Sequence, residues 1–205
     1  MGIGSLCDHC RPDNPISGQI RRIEPDGSSW QTYATGLRNP FGLTVAPDGT
    51  LWATDNGRED LPPGLPPEEL NQIVAGGDYG WPRCYGDRVS DPQGGGTASN
   101  CAATIPPVAT FPAHSSPVGL VFATGDAFAS EDQGALFVGL AGAWDRSPEH
   151  GRRIMRVRLR APAPAEMIDW STGWGRPIGL LMTPDGALLV ADLDRGTLTR
   201  IVWAQ

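Results

Sequence analysis

Lysine is absent from this 205-residue chain, and all sixteen basic residues are arginine. No apolar run approaches the roughly 20 residues that a membrane-spanning helix needs, and residues 1–5 lack the charged and apolar regions of a secretion signal. A cationic excess is missing too. The formal charge of −7 leaves no basic face for a phosphate backbone, which excludes a general nucleic-acid binder. Zinc-type spacing is also wanting: Cys7 and Cys10 form one Cys-x-x-Cys, but Cys84 and Cys101 are distant and unequally spaced, and an even count fits disulfides at least as well. There is no P-loop, no Rossmann glycine pattern, no Gly-x-Ser-x-Gly elbow and no His-Glu-x-x-His helix.

Turn residues are plentiful. With 27 glycines, 20 prolines and 40 % hydrophobic residues, the chain is rich in turns without being too polar to fold, a mixture suited to many short strands. Internal repeats organise it. Pro40-Phe41-Gly42-Leu43-Thr44-Val45-Ala46-Pro47-Asp48-Gly49-Thr50-Leu51-Trp52-Ala53-Thr54-Asp55 aligns without a gap on residues 177–192, and a looser third copy starts at Pro117-Val118-Gly119-Leu120 and resumes at residue 134. In the first two copies, Pro-Asp-Gly between apolar runs predicts a tight hairpin turn. Asp26, Asp48 and Asp185 all sit in such turns, which marks them as structural. A second repeat, aliphatic-x-Arg-aliphatic, recurs at residues 20–23, 154–157 and 198–201 and predicts outer strands.

The expected class is therefore all-β: a partial β-propeller of the six-bladed type spanning residues 1–205. An outer strand at 18–24, whose inner strands are missing, precedes blades at about 36–82, 110–160 and 170–205, or about three and a half blades in all. Such an open part-ring leaves unpaired edges, so either the natural protein is longer or two copies pair as a homodimer. Residues 61–67 and 91–102 read as inserted loops, the second of them mobile; residues 68–74 alone hint at a helical turn. Trp52, Trp81, Trp144 and Trp174 read as blade-to-blade packing, with stacking on a flat cofactor as the other possibility.

Gly36-Leu37-Arg38-Asn39-Pro40-Phe41-Gly42-Leu43, then Leu51-Trp52-Ala53-Thr54-Asp55-Asn56-Gly57-Arg58, Glu69-Leu70-Asn71-Gln72-Ile73 and Asp78-Tyr79-Gly80-Trp81-Pro82 stand in one order across some fifty residues. In that order they resemble the soluble glucose/sorbosone dehydrogenases that depend on pyrroloquinoline quinone (PQQ), especially the sorbosone dehydrogenase-like branch. Weaker similarity continues through His114-Ser115-Ser116-Pro117 and Gly175-Arg176-Pro177. The resemblance implies that Arg38 and Asn39 contact the cofactor, Arg38 polarising the quinone oxygen as negative charge grows there. It implies cofactor contact for Asn56, a cofactor carboxylate for Arg176, and calcium held partly by the backbone carbonyls of Gly57 and Arg58. Local readings stay open beside these: a strand-initiating turn at Arg38, an Asx turn at Asp55-Asn56 and a rim salt bridge for Arg176.

Two departures stand out. The family's basic histidine would fall before residue 1, and His9, His114 and His150 read as loop histidines. Where some relatives hold the cofactor with lysine, Arg146 or another arginine must substitute, or this branch uses none. The resemblance implies PQQ- and calcium-dependent oxidation of a sugar or aldehyde, incomplete in this chain because the base is expected upstream of residue 1, with the electron acceptor unspecified; it also implies a periplasmic or secreted location. The alternatives are a calcium-dependent lactonase, which needs side-chain ligands from several blades, and a non-catalytic binding propeller.

Overall fold

The computed structural model describes residues 1–8, 15–124, 128, 131–144, 150–160 and 163–202. Short apolar runs between Gly/Pro turns become strands almost throughout. β1 (Gly2–Ile3) pairs with β2 (Gln19–Ile23), and β2 with β3 (Trp30–Thr35). β4 (Pro40–Val45), β5 (Leu51–Asp55) and β6 (Glu68–Ile73) make the next antiparallel sheet, and β7 (Gly77–Asp78) runs parallel to β3. β8 (Cys84–Tyr85) and β9 (Val89–Ser90) form a separate ribbon, α1 (Ala98–Ala102) follows, and β10 (Ala109–Phe111) returns to β6. The third sheet is β11 (Pro117–Phe122), β12 (Leu136–Leu140), β13 (Arg153–Arg160) and β14 (Ala163–Thr172). The fourth is β15 (Pro177–Met182), β16 (Leu188–Asp192) and β17 (Thr197–Ile201).

The first strands β4, β11 and β15 stand side by side, so successive sheets pack face to face in the manner of propeller blades. Apolar side chains fill the gaps: Trp52, Leu70 and Phe111 meet Leu120, Leu136 and Val138 between the second and third sheets, and Phe137 and Ile154 meet Leu188 and Val190 between the third and fourth. The repeated Pro-x-Gly explains how close the sheets come. Register shifts at this motif in β4, β11 and β15, and a Cβ at Gly42 would lie 2.7 Å from the Val118 carbonyl oxygen of the next sheet; one at Gly119 would lie 2.8 Å from Leu180 Cγ. At the opposite hairpin ends Asp48 accepts the Thr50 N–H at 3.0 Å, as the turn motif requires.

Several expectations need correction. The strand expected alone at 18–24 sits within a four-stranded sheet. The sheets also overrun the expected ranges, because β10 joins β6 and β14 joins β13; two of the three arginine-bearing strands, β2 and β13, are therefore covered by a further strand. Pairing partners so far apart leave no local pattern to read. Residues 68–73 are strand, not helical turn, since burial of five of the six residues outweighs the helix propensity of Glu-Glu-Leu. The helix lies instead in the stretch expected as a loose loop. Thr97 and Asn100 form a capping box there, and a Cys84–Cys101 disulfide fastens it to the ribbon. Cys7 is also disulfide-bonded, while Cys10, His9 and Arg146 lie outside the described residues.

Candidate functional site

Three hairpins open at the same end of the molecule, where Pro40 pairs with Asp55, Pro117 with Leu140 and Pro177 with Asp192. The two residues ahead of each proline form a corner: Arg38-Asn39, Ser115-Ser116 and Gly175-Arg176. In the first corner Asp55 accepts the N–H of Arg38 at 2.9 Å and of Asn39 at 2.6 Å. In the last, Asp192 accepts those of Gly175 at 2.7 Å and Arg176 at 2.9 Å. Leu140 replaces the aspartate in the middle copy, and there Glu68 from the neighbouring sheet accepts the Ser116 N–H while also taking that of Gly57 at 2.7 Å. Carboxylates thus clamp every corner from behind, leaving the side chains to point elsewhere.

Arg38, Asn39 and Asn56 line one cleft of about 420 Å³, with Phe41, Glu59, Ser116, Val118 and Trp144. The Arg38 guanidinium is held by Asp8 at 2.8 Å and reaches the Asn56 carbonyl at 3.4 Å. Asp8 also accepts the N–H groups of Glu59 and Asp60, each at 2.9 Å, and so couples Arg38 to the turn that follows Gly57. The Asn56 amide donates to the carbonyls of Asn39 at 3.4 Å and Pro117 at 3.3 Å, stitching two corners together. Arg176 does not line the cleft itself. Its guanidinium carbon stands 4.2 Å from the ring centre of Trp144, which does. Trp144 is thus exposed on the cleft, whereas Trp52 packs in the core and Trp174 packs beside it, as expected of them.

The side chain of Arg58 turns away from the cleft into a buried network with Asp91, Asp60 and Gln93. Its carbonyl is a separate matter: among the described residues, neither the Gly57 nor the Arg58 carbonyl accepts a hydrogen bond. The Nε atoms of Arg38 and Arg176 are buried without a hydrogen-bond partner, although Arg176 Nε lies 3.5 Å from Asp194. Arginine side chains at the corners on one side and carbonyl oxygens on the other suit a planar, carboxylate-bearing quinone and a hard cation, so the residues fit PQQ and calcium. Among the described residues no group of three or more His, Cys, Asp or Glu side chains is arranged to hold a metal.

Burial dominates the acids beneath this surface. It pushes Glu68 up to about 8, partly opposed by the Gly57 N–H, and Glu69 up to about 7, opposed by Asn71 and the Gly86 N–H. Burial and then the nearby Glu69 charge also push Asp55 well up, despite its two amides.

The sequence carries no mark of Asp8, Glu59 or Glu68 as site residues, and His114 reads there only as a loop histidine. Buried His114 adopts a positive φ of 61°, and its Nδ1 meets Glu59 Oε2 at 2.9 Å while its Nε2 has no partner. Nothing local marks these residues, since their partners lie eleven to fifty-five positions away; Asp55, in contrast, shares its place in the repeat with Asp192.

The model of the Glucose / Sorbosone dehydrogenase family matches residues 9–200. An uncharacterized protein of Borreliella burgdorferi is 26 % identical over 174 residues, covering 79 % of this chain and 46 % of its own length. Quinoprotein glucose dehydrogenase B of Acinetobacter calcoaceticus is 36 % identical over 73 residues, 35 % of this chain and 14 % of that protein. Among solved structures, the holo pyranose dehydrogenase PQQ domain from Coprinopsis cinerea shares the fold with a TM-score of 0.72 at 21 % identity, over 96 % of this chain and 64 % of that one. The chain spans less than half the length of the curated relatives it matches. The ordered motifs, the corner geometry and the family match agree: the chain belongs to the glucose/sorbosone dehydrogenase family.

Proposed function

We propose that this chain provides the cofactor-binding face of a PQQ- and calcium-dependent sugar or aldehyde oxidoreductase built on a six-bladed propeller. The observation that carries the proposal is the convergence of Arg38, Asn39 and Asn56 on one cleft, with Arg176 held over its wall. PQQ, when bound, supplies a two-electron acceptor for hydride from a sugar carbon. Arg38, permanently charged and fixed by Asp8, presents positive potential where an oxygen gains negative charge. Asn39 and Asn56 orient the ligand, Arg176 takes a carboxylate, and the carbonyls of Gly57 and Arg58 hold calcium. No residue of this chain is assigned as the base. An oxidising compartment, periplasmic or extracellular, agrees with the Cys84–Cys101 disulfide.

The test is a titration of the purified chain with PQQ and calcium, followed by quinone absorbance. Saturable binding that requires calcium is expected, weakened about tenfold or more by Arg38→Ala, which removes a charge-assisted contact. Absence of calcium-dependent binding to the wild-type chain would overturn the proposal.

A further inference from the structure

The Cys-x-x-Cys at residues 7–10 stands outside the ligand donors of the cleft, yet it brackets Asp8, on which the Arg38 corner depends. β1 ends at Ile3, so no strand ladder fixes residues 5–8. They are nevertheless tied to the corner through main chain and side chain. The Ser5 N–H donates to the Arg38 carbonyl at 2.6 Å, the Trp81 indole N–H donates to the Asp8 carbonyl at 3.4 Å, and the Asp8 carboxylate takes the Arg38 guanidinium at 2.8 Å. The same carboxylate accepts the Glu59 and Asp60 N–H groups, each at 2.9 Å, directly after the Gly57 and Arg58 carbonyls. Asp8 thus joins the arginine to the carbonyl-bearing turn.

Cys7 is disulfide-bonded and half-buried, next to Leu6 at 82 % exposure, whereas Cys84 and Cys101, bonded to each other, are 4 % and 1 % exposed. We propose that Cys7 closes its bond with Cys10, the cysteine that the 84–101 pair leaves over, and that this bond is a redox latch on the Arg38 corner. Closed, so short a covalent loop leaves the bend at Asp8 little conformational freedom, and its carboxylate is held in place for Arg38 and the two turn amides. A dithiol opens it. Thiolate attack on sulfur breaks the S–S bond, two electrons and two protons pass from the dithiol, thiols form on Cys7 and Cys10, and the dithiol leaves as a disulfide. Residues 5–8, with no strand to hold them, then open locally, and Arg38 and the turn lose their common anchor. Reductant reaches the accessible bond ahead of the buried one. Cofactor capture is thereby confined to an oxidising compartment. That consequence rests on the oxidoreductase reading; the latch itself does not.

Amide hydrogen exchange on the whole chain, with and without dithiothreitol, tests the latch beside the PQQ and calcium titration. Reduction should speed exchange at Glu59 and Asp60 by about tenfold or more and weaken calcium-dependent PQQ binding by about tenfold. Cys7→Ser should exchange fast at those two amides without reductant, Asp8→Ala should do so with the bond intact, and reductant should add nothing to either. The Cys84→Ala, Cys101→Ala variant should keep the response, which assigns it to Cys7. Exchange at Glu59 and Asp60 that is unchanged by reduction, or a response that survives in Cys7→Ser, would overturn the latch. Redox-dependent exchange in a chain that never binds PQQ would keep the latch and remove the oxidoreductase reading; PQQ binding with redox-independent exchange would do the reverse.

Discussion

Asp55 and Asp192 each accept two backbone N–H groups at the corner before a first strand, yet their carboxyls are displaced in opposite directions. For Asp192 burial pushes the carboxyl up, but the amides of Arg176, Gly175 and Arg195 outweigh it and hold it below the usual range. Asp55 sits beside Glu69, whose charge adds to burial and drives it the other way. Glu69 gives the clearest consequence. Its carboxyl is raised from 4.5 to about 7 by burial, so the native state keeps a proton that the unfolded chain releases. That contribution is complete at pH below the unfolded value and is lost as pH rises through about 7. Urea denaturation near pH 5 and near pH 8 should show the wild-type chain losing on the order of 3 kcal/mol relative to Glu69→Gln. Parallel pH profiles for the two proteins would show that Glu69 titrates normally.

The ribbon and helix between β7 and β10 show how an element too short to persist alone is held in place. α1 has five residues, well under the length at which isolated helices survive in water. Three attachments compensate: the Thr97–Asn100 capping box, the Cys84–Cys101 disulfide and the buried pair between Arg58 and Asp91. The disulfide closes a sequence separation of 17 residues, for which loop closure predicts about 3 kcal/mol. The double variant Cys84→Ala, Cys101→Ala should unfold at correspondingly lower denaturant, with faster hydrogen exchange at the Asp91 and Gly96 amides that cap this segment. Unchanged exchange there would mean that Arg58 and the caps suffice. The composition here, rich in Gly, Ser and Asn, predicts a loose loop; part of what orders it comes from Arg58, more than thirty residues upstream of Asp91.

Across the whole molecule, cohesion lies between sheets. Leu136 is fully buried where the second and third sheets meet, whereas Leu198 on β17 is 69 % exposed. Leu136→Ala should cost roughly 2–5 kcal/mol by equilibrium denaturation, and Leu198→Ala about 0.5 kcal/mol or less. Similar losses at both positions would mean that Leu198 is covered in solution by a partner.

The sequence by itself determined the all-β class, the hairpins closed by Pro-Asp-Gly and the first strands at 40, 117 and 177, while its resemblance to a family singled out Arg38, Asn39, Asn56 and Arg176. These are local: a turn needs particular φ angles from adjacent residues, and a repeat exposes every position that its geometry constrains. Only the tertiary structure decided that β10 joins β6, that Glu68 and Glu69 are buried in a strand, that Asp8 holds Arg38, and that Trp144 faces the cleft beneath Arg176. Each of these depends on groups brought within a few ångströms across tens of residues. Such pairings follow from sheet-on-sheet packing and desolvation, which act through space and leave no trace in spacing along the chain.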